Sequence, residues 1–161
     1  SGMNSEQTIE MLHGTFLELL DRIHEIGVKK TKLGIEVMGR ESAFGSLEEI
    51  VELCKKVNHK QVVPYLDFGH SFVRENGKIN YGDIFDKLKP LKLNHINSQF
   101  TGVKFNEKTK KFVDVHVPMD NNPPFEPLAE EILKRKLDIT IICESPLFEV
   151  DSLKMKKILG L

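Results

Sequence analysis

Several residue types that usually define a protein class are scarce in this chain. Its 161 residues include no tryptophan, two tyrosines and two cysteines, Cys54 and Cys143. Two cysteines set far apart in apolar segments do not form the disulfide framework of a small secreted domain. There is also no charged and then apolar leader at the start. Both observations predict a reducing, cytoplasmic setting.

An excess of charge and long apolar runs are missing as well. The 23 basic and 24 acidic side chains leave a formal net charge of −1, which argues against a strongly basic nucleic-acid module and leaves any polyanion to a local patch. No stretch approaches the roughly 18 apolar residues of a membrane span, so we expect no membrane partner.

The hydrophobic fraction of 40% is that of an ordinary globular protein. It excludes a disordered chain. Ser1 and Gly2, ahead of Met3, have the character of an expression-tag remnant. With no linker or low-complexity segment in the sequence, we expect residues 3–161 to form a single domain.

Helical and strand patterns alternate along the chain. A helix is predicted between Asn4 and Gly27, where apolar residues recur every three or four positions. Short β-branched or apolar runs then alternate with amphipathic segments, the order typical of a parallel sheet covered by helices. The predicted strands are 32–37, 61–66, 91–96 and 139–143, and the predicted later helices are 46–57, 81–88, 127–136 and 151–159.

The spacing of these units predicts the fold class, an α/β half of a (β/α)8 TIM barrel. The first strand ends lie about 30 residues apart, close to the length of one unit of an eight-unit barrel. The last interval is longer, and residues 103–105 and 112–115 flank a turn that accounts for the difference. We therefore expect four parallel strands with covering helices and an inserted β-hairpin.

Acidic and imidazole side chains occur where the predicted strands end. In parallel α/β folds the carboxyl ends of the strands form the site, and buried carboxylates at one place need cations to offset their mutual repulsion. A mixed nitrogen and oxygen set suits Zn²⁺ best, with Mn²⁺ or Fe²⁺ as alternatives. The predicted metal ligands are Glu36, Asp67, His70, His95, Asp114, His116 and Glu144.

Each of these residues also has a plainer interpretation. Asp67 alone is as well explained as a helix cap, and His95 alone as a core imidazole bonded to a carbonyl. Asp114 and His116 alternate, so both face one side of a hairpin strand, which is ordinary for exposed hairpins. The convergence of all four strands is what favours a metal site.

Five short segments, taken in order, carry a family resemblance. They are GIEVMG at 34–39, LDFGH at 66–70, HINS at 95–98, DVH at 114–116 and ICESP at 142–146. The set resembles the carboxyl-terminal half of the endonuclease IV family of apurinic/apyrimidinic endonucleases, within the xylose isomerase-like barrel superfamily.

That resemblance implies roles for the same residues. Glu36 would bridge two metal ions, and Asp67, His95 and Glu144 would surround the second ion. His70, Asp114 and His116 would hold a third. The family cleaves DNA on the 5′ side of an abasic site with clustered zinc, and the implied catalytic residues are Glu36 and Glu144, the latter orienting the attacking water.

The sequence departs from the family pattern in two ways. Ser98 replaces an aspartate in the third segment, which affects a supporting hydrogen bond rather than a ligand. The first half of the barrel, with two further histidines of the family site, has no counterpart here. The basic candidates for nucleic-acid contact are therefore the hairpin lysines Lys104, Lys108, Lys110 and Lys111.

An isolated half barrel leaves strand edges and one sheet face uncovered, and we expect it to expose Val, Ile and Leu there. We hypothesise closure by a twofold homodimer, with a missing amino-terminal half as the rival explanation.

Three functions stay open. The leading one is a zinc-dependent hydrolase that cleaves DNA at abasic sites in DNA repair. The second is a metal-dependent sugar isomerase or epimerase of the same superfamily. The third is a non-catalytic metal-binding or assembly paralogue that lacks half of the site.

Overall fold

The central sheet has the strand order that the spacing of the units predicts. A computed structural model describes residues 2–161, and its four parallel strands are ordered β1-β2-β3-β6. In the register, Glu36 lies beside Tyr65 and Asp67 lies beside Gln99. The four strands are β1 (Leu33–Glu36), β2 (Val62–Asp67), β3 (Ile96–Phe100) and β6 (Ile139–Cys143). The fold is therefore α/β with the architecture of a partial TIM barrel.

The helices begin where side chains can cap them. The side chains of Asn4 and Ser46 each accept a hydrogen bond from the backbone amide three residues on, and the side chains of Gln7 and Glu49 accept one from the backbone amide of the cap residue. These reciprocal capping boxes satisfy amides that the first helical turn leaves free. The helices are α1 (Ser5–Glu25), α2 (Leu47–Val57), α3 (Phe68–Arg74), α4 (Tyr81–Leu88), α5 (Glu126–Arg135) and α6 (Glu149–Ile158).

The hydrophobic core lies between the helices and one face of the sheet. Val62, Leu66, Ile96 and Phe100 are buried on that face. They alternate with residues of the opposite face, as the two-residue period of a strand requires. The largest fully buried side chains contributed by the helices and loops are Phe68, Phe125, Ile50, Leu53 and Leu128.

The opposite face of the sheet is open and largely polar. It forms a groove of about 500 Å³. The expectation that this face exposes Val, Ile and Leu is met only in part. Val63 is the aliphatic side chain among the strand residues that line the groove, and Ile142 on the neighbouring β6 is exposed. The groove is lined by Lys32, Gly34, Glu36, Val63, Tyr65, Asn97 and Gln99.

The inserted hairpin is present as predicted. Strands β4 (Gly102–Asn106) and β5 (Lys111–Val117) pair antiparallel in a separate two-stranded sheet. The hairpin packs against α3, so it stands over the carboxyl ends of the strands.

Two local predictions differ from the structure. The predicted strand at 91–96 is wrong, because residues 89–91 form a 3₁₀ turn, Lys92 is left-handed (φ 49°) and β3 begins only at Ile96. Pro90 favours that turn, and the leucines that suggested a strand are loop residues packed on the core. The predicted cap of the last helix is also wrong, since Asp151 lies inside α6 and accepts hydrogen bonds from the Met119 amide and the Ser145 hydroxyl.

Among residues 2–161, no helix combines the length and the apolar character needed to cross a membrane.

Candidate metal centre

Two carboxylates anchor the site at the ends of neighbouring strands. Glu36 is the last residue of β1 and Asp67 the last of β2. The Asp67 side chain is fully buried, and its Oδ1 accepts a hydrogen bond of 2.7 Å from the amide of His70. Asp67 is therefore the cap of α3, and its second oxygen remains directed at the strand ends.

His70 returns toward these carboxylates because α3 starts directly after β2. Its Nδ1 lies 3.1 Å from Asp67 Oδ2 and 3.3 Å from Glu36 Oε1. Ligand atoms of Glu36, Asp67 and His70 all lie within 4.8 Å of one another, which is close enough for the three to hold a single ion.

The tautomer of His70 follows from its backbone contact. Nδ1 lies 2.8 Å from the carbonyl oxygen of Val37, which can only accept, so Nδ1 carries a proton. Nε2 then faces Asp114 Oδ2 at 3.2 Å. Two acceptors repel each other at that distance unless a proton or a cation lies between them. Neighbouring ligands of a tetrahedral zinc ion, with bonds of about 2.0–2.1 Å, are about 3.3 Å apart, so the spacing fits such an ion.

The hairpin supplies this part of the site. Asp114 and His116 lie on β5 and face the same way, as predicted, with Asp114 Oδ1 3.8 Å from His116 Nε2. The Nδ1 atom of His116 lies 3.1 Å from the carbonyl oxygen of Glu144. The hairpin therefore joins α3 to the end of β6 over the sheet.

Glu144 follows β6 directly and is half-buried. Its amide donates to the carbonyl of Phe100 over 3.0 Å, which extends the strand pairing by one residue. Its charge contributes to raising the pKa of Glu36, so it lies at the same end of the sheet as the other carboxylates.

The pKa values of the cluster reflect crowded negative charge. Burial raises the pKa of Glu36, and the charges of Asp67 and Glu144 raise it further. Burial also raises the pKa of Asp67. For His70, burial lowers the pKa, but the carboxylates of Asp67, Asp114 and Glu36 outweigh it and the net pKa is raised. Glu36, Asp67 and His70 therefore each favour an added positive charge, the condition that suits a cation.

Gln99 belongs to the site, and sequence reasoning missed it. Its Nε2 donates to Glu36 Oε1 over 3.0 Å and to Asp67 Oδ2 over 2.5 Å. Gln99 was not predicted because its side chain is an amide, whereas the predicted ligands are acids and imidazoles. The available signal is the apolar pair Ile96 and Phe100, four residues apart on one strand face, which places residue 99 on the other.

His95 does not belong to the site, which corrects the prediction. It precedes β3 and so lies at the amino end of the strand, away from the cluster. Its Nδ1 lies 2.8 Å from Asp138 Oδ1 and its Nε2 3.0 Å from Thr140 Oγ1. The error follows from the misplaced strand, because shifting β3 by about five residues exchanges its two ends.

Arg74 fixes the loop between β1 and α2. Its guanidinium donates hydrogen bonds to four backbone carbonyls of that loop and is largely buried. The loop follows Val37, and the carbonyl of Val37 orients His70. Arg74 therefore stabilises one wall of the site. The four carbonyls belong to Met38, Arg40, Glu41 and Ala43.

The hairpin lysines are all exposed. Lys110 pairs with Glu107 at 2.7 Å, whereas Lys104, Lys108 and Lys111 form no ion pair within residues 2–161. In the register of the hairpin, Lys104 lies beside Val113 and Lys111 beside Asn106. These two lysines therefore lie on the hairpin face opposite to that of Asp114 and His116.

Comparison with known proteins agrees with the fold. The sequence model of the xylose isomerase-like TIM barrel family matches residues 1–156. An uncharacterized protein of Methanocaldococcus jannaschii is 26% identical over 168 aligned positions, which cover 96% of this chain and 57% of that protein. The chain thus spans little more than half the length of this relative. No solved structure matches the chain.

Proposed function

Because the chain belongs to the xylose isomerase-like TIM barrel family, we propose that its strand-end cluster binds divalent metal, with zinc as the first candidate, and serves a phosphodiester hydrolase acting at abasic sites in DNA. The residues proposed to form the metal site are Glu36, Asp67, His70, Asp114, His116 and Glu144. His95 is excluded from them by its position.

One observation carries the metal assignment. His70 donates through Nδ1 to a carbonyl and turns Nε2 toward Asp114 at 3.2 Å. A backbone carbonyl that fixes the tautomer of an imidazole is the usual support of a histidine metal ligand. The acids and imidazoles around it match the oxygen and nitrogen donors that Zn²⁺ accepts.

The chain's own residues suit hydrolysis of a phosphodiester. A bound divalent ion generates hydroxide at neutral pH and offsets charge on phosphate oxygens. Glu144 follows β6 at the same strand ends and is half-buried; in this proposal its carboxylate would accept a hydrogen bond from the attacking water and so orient it. The exposed hairpin lysines Lys104, Lys108 and Lys111 are the basic side chains proposed to contact the phosphates of a polyanion.

An incision assay tests the hydrolase proposal. The substrate is a duplex carrying one abasic site, and the chain is supplied with Zn²⁺ or Mn²⁺. We expect cleavage on the 5′ side of the site, its loss with a chelator, and its loss in Glu144→Gln. The undamaged duplex is the matched control. Cleavage that persists in the chelator, or no cleavage at full metal loading, contradicts the proposal.

A sugar isomerase or epimerase is the second candidate, and Tyr65 is the observation that favours it. Tyr65 lines the open groove beside Glu36 and Gln99. Burial, followed by the charges of Glu144, Glu36 and Asp67, raises its pKa, so the phenol stays protonated near the cluster and can donate to a sugar oxygen. Metal-dependent exchange of a carbon-bound proton of an aldose or ketose in heavy water tests this candidate.

A non-catalytic metal-binding module is the third candidate. Metal bound at the cluster, with neither incision nor proton exchange, is the result that favours it.

A further inference from the structure

Gln99 occupies the place between the two strand-end carboxylates. It lies beside Asp67 in the register of β2 and β3 and is buried. Its Nε2 reaches Glu36 Oε1 at 3.0 Å and Asp67 Oδ2 at 2.5 Å. Ionised carboxylates only accept hydrogen bonds, so the amide must present its NH₂ group to them, and both of its N–H bonds are used.

This contact competes directly with an ion. An amide nitrogen that donates two hydrogen bonds has no lone pair for a metal, and it holds the two carboxylate oxygens that an ion at this place would need. Binding an ion there requires the amide to leave or to turn over. His70 lies on the far side of the same oxygens, with Nδ1 committed to the Val37 carbonyl.

The hairpin side of the cluster is free of this competition. No bond from Gln99 reaches Asp114 or His116 within residues 2–161. His70 Nε2, 3.2 Å from Asp114 Oδ2, also faces that way. The structure therefore divides the cluster into a part held by the amide of Gln99 and a part, formed by His70 Nε2, Asp114 and His116, that Gln99 does not contact.

We infer that Gln99 replaces a metal ion: its amide bridges Glu36 and Asp67 in place of a cation and limits this chain to one divalent ion, held by His70, Asp114 and His116. The inference rests on the proposed function in that it takes the cluster to bind metal. It makes Gln99 the residue that sets the number of ions.

Substitution by histidine tests the inference. In Gln99→His the amide donors are lost and an imidazole lone pair is offered beside Asp67, so a further ion gains a ligand set. The zinc content of the dialysed protein is measured by atomic absorption after loading in a zinc buffer. We expect one ion per chain in the natural sequence and two in Gln99→His.

Two variants serve as controls. Asn97→His adds an imidazole two residues away on the same strand face, and we expect it to leave the zinc content at one ion per chain. This control distinguishes a specific site at residue 99 from zinc binding to any added histidine. In the double variant Gln99→His with Asp67→Asn we expect the count to return to one. Circular dichroism of each variant confirms that it is folded.

The outcomes are distinguishable. An unchanged count in Gln99→His, or an equal gain in Asn97→His, overturns the inference. So does a natural chain that binds two ions and loses one in Asp67→Asn, because the ion has then displaced the amide. A natural chain that binds no ion contradicts the metal part of the proposed function and also overturns the inference that one ion is held by His70, Asp114 and His116.

Discussion

Single hydrogen bonds decide what the cluster can bind. The contact of His70 Nδ1 with the Val37 carbonyl selects the nitrogen that remains for an ion. The contact of Gln99 with Glu36 and Asp67 selects which oxygens are already occupied. Both contacts bear on the chemistry, because an N–H group that donates to one acceptor is not free to donate to another, and a nitrogen that carries a proton offers no lone pair to a metal.

Asp114→Asn is expected to weaken metal binding at least about tenfold to a hundredfold, since loss of even a supporting partner has that effect at metal sites. The amide keeps the shape of the side chain and removes its charge, and Asp114 is exposed, so the fold is preserved. Isothermal titration with Zn²⁺ measures the affinity. Asp138→Asn, at the His95 end of the sheet, is the matched control and should bind like the natural chain.

Glu49 is predicted to stabilise the protein in a pH-dependent way. Burial opposes its ionisation, but hydrogen bonds from Ser5, Gly45 and Ser46 prevail and lower the pKa of Glu49 from 4.5 to about 2. A carboxyl whose pKa is lower in the folded state stabilises it above the unfolded-state pKa. The contribution is therefore complete above about pH 5 and is lost as the pH falls from 4.5 toward 2.

We expect Glu49→Gln to lower the free energy of unfolding by about 1 kcal/mol at pH 7, the usual effect of a lost helix-capping interaction, and by less at pH 3. Urea unfolding at the two pH values measures the difference. Glu52→Gln, on the exposed side of the same helix, should have little effect at either pH. An equal loss at both pH values would show that the charge of Glu49 is not involved.

Two tight connections position the elements around the site: the junction of β2 with α3, and the entry into the hairpin at Gly102. Helix α3 starts without a loop after β2, which is why His70 lies above its own strand. The hairpin enters through Gly102, whose hypothetical Cβ would lie 2.4 Å from the carbonyl oxygen of Pro118 and 2.8 Å from that of Val117. Both are backbone atoms and cannot move aside, so this close approach requires glycine.

Gly102→Ala is expected to destabilise the protein by about 1–3 kcal/mol, the usual cost of overpacking. It should also displace Asp114 and His116, which follow on the partner strand. Gly14→Ala is the opposite case, because a Cβ there meets nothing within 4 Å in the middle of α1. It should stabilise the protein by about 0.5–1 kcal/mol. Thermal unfolding of both variants tests the pair, and equal effects would contradict this account.

At the scale of the whole molecule, the structure bears on how the barrel is closed. Helix contacts run from α1 to α2, from α2 to α4 and from α4 to α5, while α6 packs on β6. Five covering helices thus accompany four strands. In a twofold dimer, β6 of one copy would lie next to β1 of the other copy. Both α6 of the first copy and α1 of the second would then cover that position, whereas a barrel has one helix per strand.

We therefore propose that a complementary four-stranded half, rather than a second copy, covers the open face. We expect light scattering during size exclusion to give a mass near 18.4 kDa at low micromolar concentration, with no plateau at twice that value. A monodisperse dimer over a range of concentrations would overturn this proposal and restore the homodimer hypothesis.

Much of this arrangement is predictable from local patterns. Capping residues and apolar periodicity located α1, α2, α4 and α5 to within a few residues. The carboxylates at the ends of β1, β2 and β6 were found because those strands are apolar and short. β3 was misplaced because its own residues, INSQF, are largely polar, while the preceding loop carries two leucines that pack on the core.

The sequence by itself determined the order of strands and helices, the hairpin, and the acids that follow three of the four strands, because each depends on residues close together in the chain. Only the tertiary structure decided that His95 lies at the wrong end, that Gln99 bridges Glu36 and Asp67, and that His70 turns Nε2 to the hairpin. These depend on the register between strands that are about 30 residues apart. A local pattern carries no information about such a register, which is set by how whole side-chain faces pack against the helices.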